Sequence, residues 1–178
     1  MEEIEITVPE NVQTELEGTT LKVTGAKGTI TRVFKAPSIH IKTAKGVVSV
    51  STPSGRKKDL ATLGTVRSHI TNMIRGVQEG YEYKLRIFYA HFPVNISVDD
   101  DMVKIDNFLG EKYPRYARII EGCQVKVQGD IIVVSGIDKE GVGQTAANLE
   151  QATRIKKKDP RVFQDGIYLF ERDGVKLR

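Results

Sequence analysis

Two stretches of this chain read as one supersecondary unit used twice, and that duplication limits the fold more than any other feature. The second copy is the clearer. Ile131-Ile132-Val133-Val134 is an apolar run with the pattern of a buried strand, and a Gly-rich stretch with Gly136, Gly141 and Gly143 follows it. Apolar residues then recur at Val142, Ala146, Leu149 and Ala152, a helical spacing that runs to Thr153. Earlier in the chain, Val47 to Ser51 is a strand pattern, Ser54 to Asp59 a turn, and Leu60 to Val77 a helix. Aligning Gly64 with Gly143 pairs Ile70 with Leu149 and Asn72 with Gln151.

The echo extends to the flanks. Phe92-Pro93-Val94-Asn95-Ile96 follows Val8-Pro9-Glu10-Asn11-Val12, and Met102-Val103-Lys104-Ile105 follows Leu21-Lys22-Val23. Ile131 to Ser135 echoes Val47 to Ser51, and Gly166 to Phe170 echoes Gly80 to Leu85. The offset drifts from 79 (Gly64 to Gly143) to 86 (Gly80 to Gly166), as short loop insertions produce. This is a duplication of long units and not a solenoid of short ones. The expected fold is α+β: two tandem similar domains, each a small, mainly antiparallel sheet covered by one helix. The boundary is expected within Tyr89 to Pro93, giving a first repeat over residues 1–88 and a second over 89–178.

Short alternating strands are expected at Glu2 to Val8, Leu21 to Gly25, Thr29 to Phe34, Ile39 to Lys42, Val47 to Ser51 and Tyr81 to Tyr89. Leu60, Leu63, Val66, Ile70, Ile74 and Val77 form one apolar stripe on the first helix, with Gly80 as its terminating residue. Leu63, Ile70 and Ile74 are expected to face the first sheet, as Val142, Ala146 and Leu149 face the second.

Composition excludes several classes. No window of about 18 uninterrupted apolar residues exists, so no membrane span is expected. The acidic N-terminus lacks the basic-then-apolar order of a signal peptide. Cys123 is the only cysteine, which rules out an internal disulfide and a cysteine-rich zinc site; it is expected as a small core residue in a reducing cytoplasm. His40, His69 and His91 sit in different elements with no metal-ligand spacing. Asp99-Asp100-Asp101 lacks the alternating ligands of a calcium loop and reads as a polar turn. No enzyme activity, cofactor, metal or small-molecule substrate is expected.

Charge points elsewhere. The net charge of +4 is modest but uneven. Residues 1–20 hold six acids and no base, whereas residues 21–86 hold thirteen bases against three acids. The end of the chain is basic again, with Arg154, Lys156, Lys157, Lys158, Arg161, Arg172, Lys176 and Arg178. Such clusters attract a polyanion, and any one of them also serves as a plain solvated face.

Gly136 to Gly141 fits the first part of a phosphate-binding P-loop, but Val142 and Gly143 stand where the required Lys-Ser/Thr would be. Nucleotide hydrolysis is therefore not supported. A Gly-rich turn before a helix still exposes backbone N–H groups to a phosphate oxygen, although the same glycines also serve simply to make the turn. The stretch Arg154 to Arg161, with Pro160, is expected as an ordered basic loop just beyond the helix; its lysines cannot be buried together without counter-charge. Tyr113-Pro114-Arg115-Tyr116-Ala117-Arg118 offers stacking or phosphate contacts, or a plain strand with Tyr on one face and Arg on the other.

Several motifs in register resemble the universal large-subunit ribosomal protein six family. Gly64 to Val77, running on to Gly80-Tyr81, resembles the family's first-domain helix, and Leu21 to Gly28 its early strand and turn. Asp138 to Ala147 resembles the signature before its second helix. His91-Phe92-Pro93-Val94-Asn95 and Asn107-Phe108-Leu109-Gly110-Glu111-Lys112 resemble the archaeal and eukaryotic branch. The resemblance implies a non-enzymatic constituent of the large subunit of the cytoplasmic ribosome. It implies binding to large-subunit, 23S-type rRNA near the base of the stalk, close to the subunit interface and factor-binding centre, with neighbouring ribosomal proteins as partners. It also implies that the second domain makes the main rRNA contact. Carried to this sequence, it points to Lys139, Gly141, Gly143 and Gln144 and to the basic loop. The expected RNA-binding set is thus Lys139, Gly141, Gly143, Gln144, Arg154, Lys156, Lys157, Lys158, Arg161, Lys176 and Arg178. A free-standing RNA-binding regulator and a protein-interaction scaffold stay open beside it.

Overall fold

The alternation in the first half of the chain is realised as short antiparallel strands. The computed structural model describes residues 2–44, 46–90, 92–156, 158–159 and 161–177, in two units, Met1–Gly80 and Tyr81–Arg178. The first holds β1 (Glu2–Thr7), β2 (Gln13–Glu17), β3 (Thr20–Gly25), β4 (Gly28–Val33), β5 (His40–Ala44), β6 (Val47–Thr52) and α1 (Lys57–Gln78). These strands make two three-stranded antiparallel sheets, ordered β1-β6-β5 and β2-β3-β4. Alternation in β6 turns Val48, Val50 and Thr52 inward.

Helix α1 packs on β1, β3, β4 and β6. Leu63, Val66, Ile70, Ile74 and Val77 are buried as their spacing predicts, and Met73, three residues beyond Ile70, joins them. Leu60 differs: it lies in the first turn and is exposed. Each fully buried side chain of this size contributes about 1.5–3 kcal/mol, so the stripe fixes the helix to its sheets. The helix stops at Gly80, whose φ of 75° is left-handed and whose N–H returns to Gly76 O at 3.0 Å. Its last turn sits on the β3–β4 turn, where Lys27 N–H donates to Val77 O at 2.9 Å. A Cβ on Gly25 would lie 2.7 Å from Val77 Cγ2 and 2.8 Å from Val77 O, so this approach requires glycine.

The second unit holds β7 (Tyr81–Phe88), β8 (Asn95–Asp99), β9 (Met102–Asp106), β10 (Arg115–Arg118), β11 (Cys123–Gln128), β12 (Ile131–Gly136), α2 (Lys139–Ala152), β13 (Gly166–Arg172) and β14 (Val175–Lys176). One sheet is ordered β10-β9-β8 and the other β11-β12-β7-β13-β14. Helix α2 packs on β7, β10, β11, β12 and β13, burying Val142, Ala146 and Leu149 as expected. Asp100 and Asp101 are the hairpin turn between β8 and β9, with Asp100 at a φ of 40°.

The duplication is present, but its frame is shifted. The division falls at Gly80/Tyr81, not at Phe88/Tyr89. Strand β7 pairs with β12 on one side and β13 on the other, so it opens the second unit instead of closing the first. It occupies the place beside β12 that β1 occupies beside β6. Strand β13 is therefore its neighbour and not its repeat equivalent. The physical reason is edge pairing. Tyr81, Tyr83, Leu85 and Ile87 alternate inward and need a sheet that covers them. In the first unit the slot beside β6 is already taken by β1.

Candidate nucleic-acid interface

The N-terminus of α2 is where a phosphate-binding turn was expected, and the structure corrects that expectation. Asp138 is the N-cap: its Oδ1 accepts from Glu140 N–H at 3.3 Å and its Oδ2 from Gly141 N–H at 3.0 Å. The helix-end donors already hold a carboxylate from the chain itself. The signal was legible as an Asp directly before a helical pattern, but the glycines drew the reading towards an open turn.

Gly141 and Gly143 lie inside the helix. Gly141 is buried, and a Cβ there would meet Cys123 Sγ at 3.2 Å, so this glycine serves helix-to-strand packing. Cys123 is half-buried against the core, and burial pushes its thiol pKa up. Gly143 has no left-handed φ, and its Cβ would stand 3.8 Å from Tyr83 Cε2, in ordinary contact. Gly143 therefore sits in ordinary helical backbone that any residue could adopt. Gln144 is exposed and donates to Asn148 Oδ1 at 2.9 Å, and Asn148 Nδ2 donates to Arg118 O at 2.9 Å, which ties the outer face of α2 to β10.

The far end of α2 is fastened more firmly. The buried Thr153 hydroxyl donates back into the helix, to Glu150 O at 3.2 Å, and accepts from Ile167 N–H at 3.0 Å. Glu150 Oε1 accepts from Leu169 N–H at 2.8 Å. Arg115 completes the anchor. Its Nη1 donates to Ala152 O at 2.9 Å and Arg154 O at 3.1 Å, its Nε and Nη2 grip Glu111 at 2.8 and 2.6 Å, and its guanidinium lies 4.5 Å from the Phe108 ring centre. Hydrogen bonds from Arg115 hold the Glu111 carboxyl below its ordinary range. The sequence points here to stacking or phosphate contacts, or to a plain strand with Tyr on one face and Arg on the other. Instead Arg115 and Ala117 turn inward while Tyr116 and Arg118 share the exposed face. Only the packing of Arg115 on Phe108 and the helix exit distinguishes the two arginines.

From this anchor the chain runs outward through exposed Arg154, Lys156, Lys158 and Arg161. Lys158 Nζ lies 4.5 Å from the Phe163 ring centre, and Arg161, with a side chain 92% exposed, stands 3.9 Å from Asp159. Lys157, Pro160 and Arg178 lie outside the described residues. A second group of cations gathers at the other end of α2. Lys139 lies over the Tyr81 ring at 5.8 Å, Arg172 over Tyr83 at 5.6 Å, and Lys176 pairs in register with Glu171 beside it. Arg172 was absent from the expected set. Its placement follows from β13 running antiparallel beside β7. Between the two groups, the exposed residues of α2 include Glu140, Gln144 and Gln151, which add no positive charge.

The second unit of this duplicated α+β fold thus presents exposed cations near both ends of one helix, an arrangement suited to a polyanion. A family model, Ribosomal protein L6, matches residues 8–80 and 92–166, one segment in each unit, and the chain belongs to that family of structural, non-enzymatic proteins. It is 51% identical over 173 residues to the large ribosomal subunit protein uL6 of Methanococcus vannielii, covering 97% of this chain and 95% of that one. It is 53% identical over 166 residues to the uL6 protein of Methanocella arvoryzae, with 93% and 94% covered, and 51% identical over 176 residues to that of Archaeoglobus fulgidus, with 96% and 90% covered. These archaeal relatives agree with the branch that the sequence motifs indicated. No helix among the described residues is long and apolar enough to cross a membrane.

Proposed function

We propose that this chain is a structural constituent of the large subunit of the cytoplasmic ribosome and that its second unit, here Tyr81–Arg178, makes the main contact with 23S-type rRNA. Its place is the base of the stalk, close to the subunit interface and factor-binding centre, beside neighbouring ribosomal proteins. The observation that carries the reading is the pinned basic loop. Arg115 and Thr153 fix where the loop leaves α2, and Arg154, Lys156, Lys158 and Arg161 then stand in solvent. A cationic loop whose exit from the helix is fixed meets phosphates at a lower ordering cost and gains from counterion release. The cations Lys139 and Lys176 meet the same RNA from the other end of α2, a helix of about 21 Å. Gly143 and Gln144 face it between them.

The test is an rRNA titration at several salt concentrations, with wild type and a variant carrying Gln at Lys156, Lys157 and Lys158. The variant is expected to bind more weakly, with a salt slope reduced by up to about three phosphate equivalents. Equal affinities and equal slopes would remove these lysines from the RNA face. Co-sedimentation with assembled large subunits separates a ribosomal constituent from a free-standing regulator. Salt-independent association with proteins alone would mark a scaffold.

A further inference from the structure

A pocket of about 510 Å³ in the second unit lies outside the basic loop and both ends of α2. Its walls are Phe88 and Tyr89 from the end of β7, Tyr168 from β13, and Val162 from the loop between α2 and β13. All four are unusually exposed for apolar or aromatic side chains, at 44, 45, 46 and 73%. The Tyr168 ring is held in place on three sides. It tilts against Phe88 with ring centres 5.9 Å apart, its hydroxyl donates to Gln164 O at 3.4 Å, and it lies across Gly166, where a Cβ would stand 3.0 Å from Tyr168 Cε2. Asp165 also lines the pocket, with only 6% of the residue exposed. Its Oδ2 accepts from Ala90 N–H at 3.2 Å. The carboxylate thus brings a hydrogen-bond acceptor to the pocket wall.

Resting on the rRNA-binding reading, we infer that this pocket takes one unstacked nucleobase of the RNA, and that the base is guanine. Exposed aromatic rings stack with any base. A carboxylate is an acceptor only, so it selects a base that presents donors. Guanine offers N1–H and N2–H side by side to the two oxygens of one carboxylate. Uracil places a carbonyl on each side of its single N–H, and adenine and cytosine each set a ring acceptor beside their amino group. The rim decides between RNA and a cationic protein side chain, which an aromatic pocket with a carboxylate also suits. Arg86 lies over the Phe88 ring at 5.3 Å, and Arg161 directly precedes Val162 in the chain. Those charges meet the phosphate of a bound nucleotide and repel an incoming Lys or Arg.

The experiment uses the full chain and labelled RNA heptamers of uridine with a central G, A, C or U, read by fluorescence anisotropy at low salt. The G heptamer is expected to bind at least about tenfold tighter than the all-U one, the low end for a hydrogen bond to a charged group. Tyr168→Ala and Asp165→Asn reduce it to the all-U level, and Tyr168→Phe, which keeps the ring, preserves most of the preference. A parallel readout needs no variant: guanosine monophosphate added to wild type should move the Tyr168 ring resonances in NMR, and uridine monophosphate should not. Four equal affinities with Tyr168→Ala unchanged would overturn the pocket while leaving salt-sensitive loop binding intact. An arginine peptide that moves the Tyr168 resonances where guanosine monophosphate does not would overturn it in favour of a protein partner. Loss of all RNA binding, with rRNA transcripts included, would overturn the rRNA reading and this inference with it.

Discussion

Replacing Arg115 tests whether the anchor of the basic loop is energetic or only geometric. The part-buried bond to Ala152 O, from a charged donor, contributes about 1.5–3 kcal/mol. The exposed bond to Arg154 O contributes roughly 0.5 kcal/mol, because water replaces it when the side chain is cut. The guanidinium over Phe108 adds about 0.5–1 kcal/mol. The grip on Glu111, whose side chain is 41% exposed, adds no more than about 1 kcal/mol after solvent screening. Arg115→Ala should therefore cost about 2.5–5.5 kcal/mol, and Arg115→Lys, which cannot make the fork of bonds, about 2 kcal/mol. Glu111→Gln should cost less than about 1 kcal/mol. The assay is urea unfolding of the three variants, with amide hydrogen exchange of residues 152–156 followed in parallel. Those amides should lose protection in Arg115→Ala before the core strands do. If Arg115→Ala costs no more than Glu111→Gln, the carbonyl contacts and the aromatic ring contribute nothing, and the loop is not anchored as described.

Ile70→Ala should destabilise the first unit by about 2–5 kcal/mol, since Ile70 is fully buried on α1; a loss below 1 kcal/mol in chemical unfolding would mean that the helix stripe does not form the core. Gly143→Ala should stabilise α2 by up to about 1 kcal/mol, because the added methyl meets only Tyr83 at 3.8 Å, while weakening rRNA binding. A higher melting temperature with unchanged rRNA affinity would take Gly143 off the RNA face. Acid should erase the Glu111 contribution. Its folded pKa is lowered from an ordinary 4.5 by Arg115, so the stability it adds is present above that value and is lost as pH falls through the folded pKa. The stability difference between wild type and Glu111→Gln should accordingly shrink below about pH 4 and be constant near neutrality.

What the sequence determined by itself was local or periodic. The stripe Leu63, Val66, Ile70, Ile74 and Val77 and its counterpart Val142, Ala146 and Leu149 define both helices and the faces they bury, because a helix reads its own sequence at a fixed period. Gly80 marks a helix end through its own φ, and the two-unit repeat is visible because each copy carries the same periods in the same order. The partner of β7 was not legible. An alternating strand satisfies its pattern beside any sheet with an open edge, and which edge is open depends on strands far away in sequence. The same limit applies to Arg115 and Arg118, two residues of one type on one short strand, of which one pins a loop and the other faces solvent. It applies also to Asp165 and Tyr168, which no spacing rule connects to Phe88 until β13 lies antiparallel to β7. Tertiary structure decided these points because hydrogen-bond geometry and burial are properties of neighbours in space, and the neighbours of β7, unlike those in the sequence-adjacent hairpins, are distant in sequence.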